Sequence, residues 1–315
     1  MTLDPDIQTL LAHMSESKPL QAMTLNEARA AADGLKKLQG PLEAVAAVTD
    51  TIVEGDDGHR IPVRLYQPTR HGSDPLPLIV FAHGGGWFRC SLDHYDNPCR
   101  ALTNATNCIV ALVDYRLAPE HKFPLPLEDV YSALRWAFQN ARALGADPQK
   151  LIIAGDSSGG NLAAATALLA RDRKGPPLVH QLLLYPAMNF GFETPSYTEF
   201  ERGYMLTREA MEMCWSFYLD RVEDGTNPYA SPLRAASLAG LPAATLITAG
   251  FCPLRDEGET YASRLHEAGV SVRMERLHGM IHACIHMIGV APTARSLFDL
   301  SAASIHASFA RSPTL

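Results

Sequence analysis

Short runs that are apolar from end to end alternate with helical stretches from residue 77 onward. PLIVFAHGG, CIVALVDYR, LIIAGDS, QLLLYPAM and ATLITAGF are such runs. A strand with apolar side chains on both faces must be covered on both faces, and the intervening helices are what cover it. LEDVYSALRWAFQNARAL, GNLAAATALLARDR and EGETYASRLHEAG read as those helices, with another at the C-terminus. The pattern predicts an α/β fold with a mostly parallel central sheet flanked by helices, over 1–315 as a single domain. A hairpin across GDDGH, from VTDTIVEG to IPVRLYQP, precedes the alternation, and a strand at VSVRMERL follows it. Residues 1–45 read as helical. Residues 189–225 break the alternation with Phe190, Phe192, Tyr197, Met211, Trp215 and Tyr218. Together these two segments read as a helical cap, or else as an ordinary packed helix pair.

The charge balance narrows the partners. The net charge is −7, with no Lys/Arg-rich run, which argues against nucleic acid or an anionic membrane surface. MTLDPDIQTLLAHMSESKP lacks the basic and apolar regions of a signal peptide, and no apolar run is long enough to span a membrane. The six cysteines are scattered without a CxxC pair. They read as reduced thiols in a cytoplasmic protein.

Two glycine-rich stretches carry the chemistry, each directly after an apolar strand. Gly155-Asp156-Ser157-Ser158-Gly159-Gly160-Asn161 sits between a strand and a helix, the setting of a G-x-S-x-G nucleophile elbow. Ser157 is at its centre and is the candidate nucleophile; Ser158 is not. His83-Gly84-Gly85-Gly86-Trp87 leaves backbone N–H groups uncovered, able to face an oxyanion. Near the end, His278, His282 and His286 are four residues apart. That spacing can hold zinc on a helix face, but Gly279 interrupts it and the glutamate of HExxH is missing. No metal and no cofactor is expected.

HGGGW, DYRLAPEH (Asp114–His121), GDSSGGN and PLRDEG together resemble the hormone-sensitive-lipase-like esterases, the bacterial family IV carboxylesterases. The likeness covers roughly residues 45–310, with the cap regions similar only in placement. It implies an α/β-hydrolase fold that cleaves small esters with short to medium acyl chains. It also implies an oxyanion hole from the N–H groups of Gly85, Gly86 and Ser158, with His83, Gly84 and Asp156 supporting, and suggests a homodimer. The family pattern G-M-x-H-G-F aligns with Gly279-Met280-Ile281-His282-Ala283-Cys284, so His282 is the implied base, with His278 the competitor. Ala-Cys in place of Gly-Phe implies a different local turn.

The acid is the departure. The family pattern D-P-L-R-D-E-G reads here Cys252-Pro253-Leu254-Arg255-Asp256-Glu257-Gly258. A neutral thiol is a weak acceptor for an imidazole N–H. Four resolutions are open: Asp256 or Glu257 takes the acid's role; Glu193 does; Cys252 is oxidised to a sulfinate; or the enzyme is weak, drifted or engineered. Asp256 is the narrow preference, because it belongs to the same loop and helix. A carboxylic ester hydrolase is the leading expectation, and a ligand-binding descendant with a weak or dead site is the alternative.

Overall fold

The computed structural model describes residues 2–14, 18–69 and 74–310. Eight strands form one sheet: β1 (Ala47–Glu54), β2 (Arg60–Gln67), β3 (Leu76–Ala82), β4 (Ile109–Val113), β5 (Ala146–Asp156), β6 (His180–Leu184), β7 (Ala243–Phe251) and β8 (Val272–Ile281). Their order is β1-β2-β4-β3-β5-β6-β7-β8. The hairpin β1–β2 and the pair β2–β4 are antiparallel, and every later pairing is parallel. All five residues of β4 and of β6 are buried, as expected of strands covered on both faces. The mostly parallel sheet read from the apolar runs is the sheet the chain forms.

Helices Ser158–Asp172 and Arg255–Glu267 follow their strands directly, while Leu125–Asn140 and Ser296–Ala310 follow after longer connections. The segment after β6 supplies two further helices, Pro195–Glu199 and Arg208–Tyr218. The N-terminal segment reaches this insertion, where Thr207 Oγ1 lies 3.3 Å from Gln21 Oε1. It reaches the loop after β3 as well, where Arg29 Nε donates to Phe88 O at 2.9 Å.

β8 runs on past the end expected for it. A register shift lies between Ala249 and Phe251 of β7, and pairing resumes at Phe251 with Ile281. A Cβ at Gly250 would lie 2.4 Å from His278 O, so glycine is what lets the two chains pass there. His278, expected beyond the strand, is therefore inside it and exposed. No described helix is long and apolar enough to cross a membrane.

Candidate active site

Four loops leave the carboxyl ends of β3, β5, β7 and β8, the edge where open parallel sheets place their ligands. HGGGW follows β3, the serine elbow follows β5, Cys252 follows β7 and His282 follows β8.

The elbow is a tight fit between strand and helix. Ser157 adopts φ 54°, ψ −121°, a strained conformation for an L-residue. A Cβ at Gly159 would lie 2.0 Å from Ala82 O, and one at Gly155 would lie 2.2 Å from Gly159 O. Both positions therefore exclude a side chain. The turn is held by Ser157 N–H donating to Leu184 O and Ala187 N–H donating to Ser157 O, at 2.8 and 3.1 Å.

His282 is brought to this serine. Its Nε2 is 2.8 Å from Ser157 Oγ, and its Nδ1 is 3.1 Å from Cys252 Sγ. Leu254 N–H also donates to that sulfur, at 3.4 Å. The Tyr185 ring stands edge-on to the imidazole, with centroids 4.9 Å apart. Burial, with a smaller contribution from the Arg89 charge, lowers the His282 pKa to about 3, so the ring is neutral near pH 7. Burial pushes the Cys252 thiol well up, which keeps it protonated.

The carboxylates raised as substitutes for the acid bond elsewhere. Asp256 lies in the first turn of its helix, where Oδ2 accepts from Ser196 N–H at 2.7 Å and Oδ1 from Arg255 Nε at 2.8 Å. It thus ties the Pro195–Glu199 helix to its own, and Cys252 is the group the structure sets against Nδ1. Glu193 is exposed and accepts from Phe192 N–H. Glu257 is fully buried, and Oε1 accepts from Met188 N–H at 2.8 Å. His286 is also drawn away, with Nδ1 2.8 Å from Gln39 Nε2. Among the described residues no group of three or more His, Cys, Asp or Glu side chains is arranged to hold a metal. All six cysteines are buried free thiols.

The glycine loop is braced from below. Gly84 N–H donates to Asp156 Oδ1 at 2.8 Å, and Tyr95 hydroxyl donates to Asp156 Oδ2 at 2.9 Å. Burial raises the Asp156 pKa to about 7. His83 stacks on Tyr115, with centroids 4.3 Å apart, and its Nδ1 donates to Gly84 O at 2.8 Å. Burial lowers its pKa to about 4, so it stays a neutral brace. Gly84 N–H is thereby occupied. The N–H groups of Gly85, Gly86 and Ser158 donate to no acceptor among the described residues. Gly86 is confined by the inserted helix, because a Cβ there would lie 2.5 Å from Cys214 Sγ. Tyr95 and Tyr185 are site residues that no sequence motif marks, although Tyr185 ends an apolar strand, where a polar aromatic is a usable signal.

The turn after His282 explains what replacing Gly-Phe with Ala-Cys does. Ala283 takes φ 62°, ψ 25°, the left-handed conformation that a glycine adopts without strain. Ala283 takes that conformation at the cost of strain. Ala283→Gly is expected to stabilise the fold by about 0.5–1 kcal/mol, the strain relieved less the extra chain entropy of glycine. Chemical denaturation read by circular dichroism checks this.

A family model described as "alpha/beta hydrolase fold" matches residues 79–286. The chain is 39% identical over 295 residues to "Carboxylesterase NlhH" of Mycobacterium tuberculosis, covering 92% of each chain. It is 35% identical over 300 residues to "Arylesterase" of Saccharolobus solfataricus, covering 94% of this chain and 96% of that one. Among solved structures, a hyperthermophilic esterase from the archaeon Pyrobaculum calidifontis matches with a TM-score of 0.91 and 38% identity, over 98% of this chain and 99% of that one.

Proposed function

This chain belongs to the hormone-sensitive-lipase-like (bacterial family IV) carboxylesterases of the α/β-hydrolase superfamily, and from that premise we propose how it works. It is an ester hydrolase. Its substrates are small carboxylic esters with short to medium acyl chains, cleaved through an acyl-enzyme on Ser157, with Cys252 in the place of the acid. The observation that carries this reading is the contiguous line Ser157 Oγ, His282 Nε2, His282 Nδ1, Cys252 Sγ, with contacts of 2.8 and 3.1 Å.

Ser157 Oγ attacks the ester carbonyl while His282 Nε2 accepts its proton. The N–H groups of Gly85, Gly86 and Ser158 hold the oxyanion, and the positive end of the Ser158–Asp172 helix adds to them. The imidazolium then protonates the leaving alcohol, and water releases the acyl group by the same route in reverse.

The thiol does part of an acid's work. Nε2 can accept a proton only if Nδ1 carries one, so Nδ1–H must donate to Cys252 Sγ. A neutral sulfur accepts that bond weakly and supplies no negative charge to the imidazolium. The opposite arrangement, S–H donating to Nδ1, gives the tautomer that cannot take the serine proton. The site therefore turns over with one stabilising charge fewer than a triad with a carboxylate. The Pro195–Glu199 and Arg208–Tyr218 helices, with the N-terminal segment, serve as the cap that bounds the acyl pocket.

A ligand-binding descendant is the less supported reading, because the named relatives hydrolyse esters. The test is turnover of a p-nitrophenyl series from acetate to palmitate. The expected result is a kcat/KM maximum at short to medium chains. No turnover of any member would overturn the reading.

A further inference from the structure

We propose that Arg89 makes this site selective for esters that bear an anionic group, a carboxylate above all; the inference rests on the ester-hydrolase reading of the same site. Arg89 closes the turn that carries the free N–H groups, since Phe88 N–H and Arg89 N–H both donate to Gly85 O, at 3.4 and 3.3 Å. A Cβ at Gly85 would lie 2.3 Å from Arg89 O. Its guanidinium carbon is 5.9 Å from the centre of the Phe88 ring, and that ring meets Phe217 of the inserted helix edge-on at 5.2 Å.

Several groups feel its charge, His94 and His286 among them. It favours the thiolates of Cys90 and Cys214, and it disfavours protonation of His282. Cys214 is the residue whose sulfur bounds Gly86. The cation thus sits by Phe88, between the oxyanion turn and the inserted helix.

Among the described residues the Arg89 side chain makes no hydrogen bond and no ion pair, and its Nε is closed off from solvent without an acceptor. Neighbouring arginines are matched: Arg29 pairs with Glu120, and Arg116 with Asp129 and Asp57. The nearby Asp156 is held by Gly84 N–H and Tyr95 hydroxyl. The terminal Nη1 and Nη2 of this half-buried guanidinium make no hydrogen bond either and are not closed off, so they can donate to a carboxylate oxygen. A chain of net charge −7 repels anions at long range, so an anionic substrate needs a cation in the pocket.

The anion can lie on the acyl side or the alcohol side, and two matched pairs separate these. Mono-4-nitrophenyl glutarate against 4-nitrophenyl valerate reads the acyl side. 4-Acetoxybenzoate against 4-acetoxytoluene reads the alcohol side. Arg89→Met is expected to lower the anionic-to-neutral ratio of kcat/KM by about 10- to 100-fold in one pair. Arg89→Lys is expected to keep part of the ratio, and raising the salt from low to high is expected to shrink it in the wild type. Taking the ratio cancels any general damage to the loop. An unchanged ratio in both pairs would overturn the proposal. Turnover of the neutral esters by the wild type reads the ester-hydrolase activity separately.

Discussion

Cys252→Asp is expected to raise kcat by about 10²- to 10³-fold on a short p-nitrophenyl ester. Loss of the acid from a comparable triad costs about 10⁴-fold, and the thiol here already orients the ring, so the recoverable part is smaller. The position suits a carboxylate. Leu254 N–H points at the Cys252 sulfur, and the helix Arg255–Glu267 begins three residues on with its positive end nearby. An aspartate there fixes the proton on Nδ1 and stabilises the imidazolium that forms at each transfer. It also moves the pH profile, and the sign follows from the His282 pKa. In the wild type His282 is held down at about 3, so the acid limb of kcat/KM lies well below the ordinary histidine value of about 6.5. A neighbouring carboxylate favours the charged ring, so the limb moves up in pH as kcat rises. No gain in kcat with an unmoved limb would mean that another carboxylate already serves the ring. Asp256→Asn separates the two cases. It is expected to loosen the Ser196 contact and leave the acid limb where it is.

Ser157→Ala is expected to lower turnover by about 10⁴- to 10⁶-fold, the span seen when one or another member of a triad is lost. The substitution takes one hydroxyl from the end of the Ser157–His282–Cys252 line and leaves the elbow intact. The helix start does not depend on that hydroxyl, because Asn161 N–H donates to the Ser157 backbone carbonyl at 3.0 Å. Binding of a non-hydrolysable ester analogue is therefore expected to survive. Retained turnover in this variant would move the nucleophile elsewhere, with Cys252 the first candidate.

What the sequence made legible was local in the chain. Fully apolar runs announced covered strands, and a serine between a strand and a helix announced the elbow. The spacing from Cys252 to His282 kept those two residues in register with the family pattern. What it hid depends on residues far apart in sequence. Asp256 looked free for catalysis, but Ser196, sixty residues away, takes its carboxylate. His278 looked like a loop residue, but the register shift opposite Gly250 carries β8 through it. Tyr95 is joined to Asp156 across 61 residues, and no motif around it marks that bond. Arg89 stands two residues beyond HGGGW with nothing in the sequence to mark it, because an unpaired charge is visible only once its surroundings are known.

The most direct test of Ser157 as a nucleophile working with a thiol-backed histidine is a fluorophosphonate titration of the wild-type enzyme, read by peptide mass spectrometry and residual esterase activity together. The expected result is one phosphonyl group on Ser157, with activity falling in proportion to labelling. Activity lost with the label on Cys252 or another residue, or Ser157 fully labelled with activity intact, would contradict it.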